Sequence, residues 1–368
     1  MTRSLLAASA ALFLLSACPP PPETDPPVDK PPALTGLIDL GGSCLNSGAV
    51  IVHQGFAYAS CAGTWAGDGA VAIVDLSDDS VKVVATGGAP GPMTVLGSHL
   101  VIGDMGDGQL MVMTLDGVVV AGGGAALPIC PSDFGNNIYQ FISGLTTANG
   151  KVLASCFATD ELLEVSVTYP DAGSAVATVD RRVTVGDGAS SVALWGADTA
   201  VVLDNLAGTV STVDLATFTA SVGRFTTGAV PNDLEISGDT AFIVNSGAQT
   251  LQVLDMSTGN TLAEVPTGDN TNPYGLARVD ENHVAVSLLL SGEAIIANTG
   301  TSEIAHTFTL PTGAELPAVT DKDPASSLPR PQGVAVTADG RVLVAQTGLA
   351  VDYSANAHGT LAVIDLNP

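Results

Sequence analysis

The sequence predicts an all-β protein, a seven-bladed β-propeller of four-stranded blades. Three observations predict it. After residue 33 no stretch of useful length has helical periodicity, while Val and Gly, residues of strands and turns, are abundant. A strand–turn–strand phrase recurs at separations of 41–43 residues, the length of one four-stranded blade. An orphan strand precedes the first copy, where it can complete a last copy that lacks its fourth strand.

The phrase is clearest in AFIVNSGAQTLQVLDMSTGNTLAEVPTG (241–268). Its second strand ends in an acid that recurs as Asp75, Asp116, Asp214, Asp255 and Asp365, with Asn298 in the same place. A carboxylate before Ser, Gly or Thr can accept backbone N–H bonds and start the next turn, which is the role expected for these residues. The gap from 116 to 214 has room for two copies, and the gap from 298 to 365 holds one with insertions. Each copy opens with a strand often preceded by Pro. Seven such opening strands fall near 49–53, 93–97, 143–147, 191–195, 233–237, 275–279 and 333–337. Gly238-Asp239 and Ala338-Asp339-Gly340 supply hairpin turns. The last copy stops at GTLAVIDLNP after its third strand, and ALTGLIDLGG (33–42) fits as the fourth. The two chain ends would then share one blade and leave no open sheet edge.

The phrases VNSGAQTLQVLDMSTGNTLAEVPTG and PQGVAVTADGRVLVAQTG resemble YVTN-type β-propeller repeats, with their Asn-rich turn, V-x-V-I-D strand and P-x-G-hydrophobic opening. The resemblance covers roughly 34–368, strongest in 189–310 and weakest around 122–185. It implies the propeller fold. Propellers of this kind include binding modules, surface-layer components and enzyme subunits, and the fold does not choose among them.

The chain opens with MTRSLLAASAALFLLSAC: one Arg, an apolar run from Leu5 to Leu15, then small residues. That run is short for a membrane span and reads as a signal peptide over 1–17. Leu15-Ser16-Ala17-Cys18 resembles the bacterial lipobox, which implies cleavage and lipidation at Cys18. Pro19 in the next place resembles the pattern released to the outer membrane. Residues 18–32 then form the lipidated Cys and a Pro-rich, semi-rigid tether, and 33–368 the propeller. The expected location is the bacterial outer membrane, on its periplasmic face or at the cell surface.

The remaining thiols are Cys44, Cys61, Cys130 and Cys156. Four cysteines in an exported chain suggest two disulfides, and the absence of a CxxC motif argues against zinc. Cys44 and Cys130 each precede an opening strand, and Cys61 and Cys156 each end the strand after it. This register pairs Cys44 with Cys61 and Cys130 with Cys156.

The formal net charge of −26 favours solubility and excludes nucleic acid and anionic lipid headgroups as partners. In a propeller, ligands meet the face made by the loops between blades and the loops after the second strands. The residues expected there are Asp104, Asp107, Asp204, Asn205, Asn232, Asp233, Asn245, Tyr274 and Gln332, with Trp65, Asp68, Asp160, Glu161, Asn272, Gln346 and Tyr353 beside them. Calcium wants six to eight oxygen ligands. Asp104, Asp107, Asp204 and Asn245 have suitable oxygens but stand in different blades. The histidines His53, His99, His283, His306 and His358 are scattered, and no GxSxG, HExxH or CxxCH motif occurs. The opening strands are mostly apolar, Ser and Thr, broken by Asp233, Glu235 and Arg278, the last two placed to pair between blades. These features predict a lipid-anchored, monomeric, non-catalytic propeller for binding or scaffolding in the cell envelope. An envelope protein or a glycan would be its partner, and no cofactor is expected. The alternative is a calcium-assisted hydrolase of lactonase type. Two polar insertions, 311–331 and 348–357, flank one blade and are expected to form one local feature over the channel.

Overall fold

A computed structural model describes residues 30–64, 66–121, 126–130, 142–171, 173–319, 322–352 and 354–367. The signal peptide (1–17), Cys18, most of the tether, Trp65 and Tyr353 lie outside the described residues. Seven antiparallel sheets form a ring. Blade 1 comprises Ser47–His53, Phe56–Cys61, Ala70–Asp75 and Val81–Ala85. Blade 2 comprises Pro90–Leu96, His99–Asp104 and Gln109–Thr114, with an outer edge split into Val119–Ala121 and Leu127–Pro128. Blade 3 comprises Ile142–Ala148, Lys151–Cys156 and a long hairpin of Glu161–Asp171 with Ser174–Thr184. Blade 4 is Ala189–Trp195, Thr199–Asp204, Thr209–Asp214 and Thr219–Thr226, and blade 5 is Pro231–Ser237, Thr240–Asn245, Thr250–Asp255 and Thr261–Pro266. Blade 6 is Pro273–Arg278, His283–Leu288, Glu293–Asn298 and Glu303–Thr309. Blade 7 is Pro331–Val336, Arg341–Gln346, Thr360–Asp365 and, from the other end of the chain, Ala33–Asp39.

The opening strands follow one another around the ring, and the last, Pro331–Val336, neighbours the first, Ser47–His53. The core is seven apolar layers, each held between two successive blades. The layer that closes the ring sets Leu343, Ala345, Leu361 and Val363 of blade 7 against Val50, Ala57, Ala59 and Ala72 of blade 1, with Ile38 and Leu40 beside them. Ala33–Asp39 pairs antiparallel with Thr360–Asp365, so the chain ends share a blade as expected.

The glycine of the P-x-G opening has a steric cause. A Cβ at Gly275 would stand 2.3 Å from the Gln332 carbonyl oxygen, and one at Gly333 2.6 Å from that of Gly48. Opening strands converge so closely on the channel that only hydrogen fits there. Hydroxyls tie the strands across the same gap: Ser287 Oγ donates to the Gln332 carbonyl (2.5 Å) and Ser47 Oγ to that of Gln346 (2.5 Å).

The recurring acids start turns. Asp255 accepts from the backbone and hydroxyls of Ser257 and Thr258, Asp75 from Ser77, Asp214 from Thr217, and Asn298 from the backbone of Gly300 and Thr301. The two insertions do form one feature. Bridges join Ala318 to Ala357 and Ser327 to Ala350, and Leu328 donates its N–H to Leu349 (2.9 Å). The module stands beside the channel, because the residues that line the channel cavity do not come from it.

Candidate channel-mouth site

One position recurs at the end of each second strand: Cys61, Asp104, Cys156, Asp204, Asn245, Leu288 and Gln346. In every blade this residue is buried, and in six of the seven it meets the loop that leads into the blade. Blades 1 and 3 close the contact with disulfides, Cys44–Cys61 (Cα–Cα 5.0 Å) and Cys130–Cys156 (5.7 Å). Blade 2 uses Asp104, whose Oδ1 accepts from Ala89 (3.2 Å) and Gly106 (2.7 Å). Blade 4 uses Asp204, which accepts from the Gly186 N–H (2.9 Å) and the hydroxyls of Thr209 (2.6 Å) and Ser211 (2.7 Å). Burial pushes the Asp204 carboxyl up, against the pull of those donors. In blade 5 the Asn245 amide donates to Gln252 Oε1 (3.3 Å), which also accepts the Gly228 N–H (3.2 Å). In blade 7 the Gln346 amide donates to the Pro311 carbonyl (3.2 Å). These side chains are loop locks. Asp104, Asp204, Asn245 and Gln346 are not among the residues that line the channel cavity, nor is Asp107, exposed on its loop.

The channel mouth is built by other residues. A cavity of about 490 Å³ is lined by the first residues of the opening strands and by loop residues after the second strands. The structure brings Asn205, Asn232, Asp233, Tyr274 and Gln332 together here, as the sequence suggested. It adds Ser191, Met93, Met105 and Phe157, which sequence reasoning did not single out.

Asp233 occupies the place of the motif glycine, as Gly275 and Gly333 do in blades 6 and 7. Its Oδ1 accepts from Ser191 Oγ of blade 4 (3.0 Å) and from the Leu234 N–H (2.9 Å), and its Oδ2 from the Leu276 N–H of blade 6 (3.2 Å). Three of about four lone-pair sites are thus engaged. Burial in the channel wall pushes Asp233 up to about 6, against the pull of these donors and with a small push from Glu235. Tyr274 keeps 38% of its surface open, although protein surrounds it on the scale of the channel. Its phenol is pushed up by this desolvation first and by the Asp233 charge second, and solvent reaching the ring moderates the push. Among the described residues neither the Tyr274 hydroxyl nor the Gln332 side-chain amide has a hydrogen-bond partner, whereas the Asn205 amide donates to the Pro231 carbonyl (2.8 Å) and Asn232 (3.0 Å). Below this layer Glu235 accepts the Arg278 N–H (2.8 Å), with the guanidinium 3.8 Å away.

The raised Asp233 makes a stability prediction. A carboxyl whose folded pKa of about 6 exceeds its ordinary 3.8 binds a proton more readily in the folded chain. Its ionisation opposes folding above about pH 6, and that cost vanishes as the pH falls toward about 4. Asp233→Asn is expected to raise the urea midpoint at pH 7.5 and to raise it much less at pH 4.5, where the folded carboxyl is already protonated. A lower midpoint at pH 7.5 would mean that the bonds to Ser191 and Leu276 outweigh the burial cost.

Among the described residues no three His, Cys, Asp or Glu side chains come together to hold a metal ion. No family model matches the chain and no curated relative matches it. Solved structures do. A streptogramin B lyase is similar over 89% of this chain and 97% of its own at 12% identity (TM-score 0.65). The virginiamycin B lyase of Staphylococcus aureus is similar over 90% and 98% at 10% identity (TM-score 0.66), and its catalytically inactive His-to-Ala variant with quinupristin is similar as well. The hydrazine synthase of Kuenenia stuttgartiensis matches over 88% and 96% at 13% identity (TM-score 0.63). At such identities the likeness is one of fold. The expectation of a non-catalytic binding or scaffolding propeller is corrected on one point: the solved rings similar to this chain include lyases. The chain is a seven-bladed β-propeller whose solved structural neighbours are propeller proteins, lyases among them.

Proposed function

We propose that the channel mouth is the reaction site of a lyase-type enzyme, with Asp233 as proton acceptor and Tyr274 as proton donor. The observation that carries this reading is Asp233, a carboxylate in the channel wall pushed up to about 6. A base is most effective when its pKa lies near the working pH. In the step, Asp233 takes a proton from a substrate carbon next to an electron-withdrawing group. The C–H electron pair becomes the new double bond, the bond to the leaving group breaks, and that group takes the Tyr274 proton. Asp233 then returns its proton to the Tyr274 oxygen, and the cycle closes. Among the described residues no histidine lines the cavity, whereas a His-to-Ala change inactivates the virginiamycin B lyase.

Streptogramin B compounds and quinupristin, which the neighbours act on or bind, are the first substrates to try. The wild-type chain in deuterated buffer is expected to convert a substrate, or at least to exchange its abstracted proton, as read by mass spectrometry. Asp233→Asn is expected to lower the rate about 10²–10⁴-fold. The wild-type rate should rise with pH through about 6 as Asp233 ionises. A rate unaltered in Asp233→Asn would remove Asp233 from the reaction.

We further propose that residues 1–17 direct export, that Cys18 is lipidated and that 18–32 tether a ring of YVTN-type repeats. Two disulfides suit an oxidising compartment and support the export. The recurring P-x-G opening supports the repeat type. Cells fed an alkyne fatty acid are expected to label the wild-type chain and not Cys18→Ala, and equal labelling would remove Cys18 as the site.

A further inference from the structure

The wall of the channel mouth is divided. Among the described residues, blades 1 and 2 contribute Gly and apolar side chains, among them Val50, Ile51, Met93 and Met105, and blade 3 adds Leu145 and Phe157 beside Ser143, whose hydroxyl is spent on the Ala189 carbonyl (2.6 Å). The amides, the carboxylate and the phenol among them come from blades 4 to 7, as Asn205, Asn232, Asp233, Tyr274 and Gln332, with Val192 and Val334 beside them. No Lys, Arg or His lines the cavity among the described residues, and the chain as a whole carries −26. An anion would enter against that field and lie close to Asp233 without a counter-charge. A cation would find one carboxylate with most of its lone pairs already spent on Ser191, Leu234 and Leu276. What remains on offer is neutral: the unpaired Tyr274 hydroxyl and Gln332 amide on one side, and methionine and branched side chains on the other. Methionine adapts its shape to varied apolar surfaces. A cavity near 490 Å³ falls within the range that encloses a drug-sized molecule.

We infer that the substrate is an uncharged amphipathic organic molecule of about drug size, bound with its apolar flank on blades 1–3 and its hydrogen-bonding flank on blades 4–7. The inference rests on the channel mouth being the ligand site of the proposed enzyme, and binding tests it apart from turnover.

The test uses the full chain with Cys18→Ala, so that no acyl group competes for dye. Three fluorescent probes are titrated: uncharged Nile red, anionic 1-anilinonaphthalene-8-sulfonate and cationic rhodamine 6G. Nile red is expected to bind one per chain, at least tenfold more tightly than either charged dye. Met105→Glu is expected to weaken Nile red at least tenfold. If that variant does not fold, Met105→Gln, of similar length and uncharged, should weaken it several-fold. Phe56→Ser, in a separate cavity lined by Phe56, Tyr58, Ile73 and Leu115, should leave Nile red unaffected. A charged dye that binds as tightly as Nile red would overturn the inference, as would Nile red binding that ignores Met105 or that depends on Phe56. Nile red binding as expected, with no turnover of any substrate, would sink the enzyme reading and leave this one standing.

Discussion

A chain that begins at Gly41 is expected not to form the ring. Without Ala33–Asp39, the outer edge of blade 7 loses its antiparallel partner over six paired positions. Each backbone bond contributes about 1 kcal/mol net. The closing layer also loses Ile38 and Leu40, both buried, and burying a side chain of that size stabilises by about 2 kcal/mol. Leu34 and Leu37, packed on the layer between blades 6 and 7, add to the loss. The total, on the order of 8–10 kcal/mol, is comparable to the whole stability of a folded domain. Size exclusion and near-UV circular dichroism should show an expanded or aggregated chain. A synthetic peptide of residues 33–42, added at high concentration, should restore a compact ring by pairing with Thr360–Asp365. A truncated chain that stays compact and keeps its urea midpoint would show that three strands suffice in blade 7.

The loop locks set the second large effect. Replacing Cys44 and Cys61 together by Ser opens a loop of 17 residues, and replacing Cys130 and Cys156 opens one of 26. Each loss is expected to cost about 3 kcal/mol in the chain-entropy account. Asp204→Ala should cost about 2–4 kcal/mol by another route, because it removes the acceptor of the Thr209 and Ser211 hydroxyls and one of the two acceptors of the Gly186 N–H in a dry place. Blades 1 and 4 are well separated, so the Cys44/Cys61 and Asp204 losses should add within about 0.5 kcal/mol. Urea midpoints of the two variants and their combination measure this. Asp204→Ala at wild-type stability would mean that the lock in blade 4 holds nothing.

Most of the fold can be read in the sequence because a repeat states its register many times over. The opening strands, the turn-starting acids and the orphan strand at 33–42 are all fixed by comparing copies, and both disulfides follow from the same comparison. The site was legible only on its polar side. Asn232, Asp233, Tyr274 and Gln332 are polar residues of opening strands, Asn205 follows a second strand, and they converge. Asp104, Asp204, Asn245 and Gln346 look equally polar, yet they are buried as locks. Their register held the signal: they stand where Cys61 and Cys156 stand, and a position that can be filled by a disulfide serves the loop behind it. The apolar wall carried no such mark. Met93, Met105 and Phe157 resemble core residues in the sequence, and only the curvature of the ring turns them toward open space. The sequence did not mark Asp233 out as a titrating group for a related reason. A carboxylate acquires a raised pKa from its surroundings, and no spacing of residues displays that.

Ala33–Asp39 is among the first parts of the ring to leave the ribosome, and its partner Thr360–Asp365 is the last. Throughout synthesis that first strand is a bare edge with Leu34, Leu37 and Ile38 uncovered, and any neighbouring chain offers it the same partner that its own chain has not yet made. Two nascent copies could exchange first strands and close each other's rings, so crowded synthesis should favour swapped pairs and dilute synthesis single rings. The pairing that completes blade 7 is therefore also the molecule's most exposed moment during assembly.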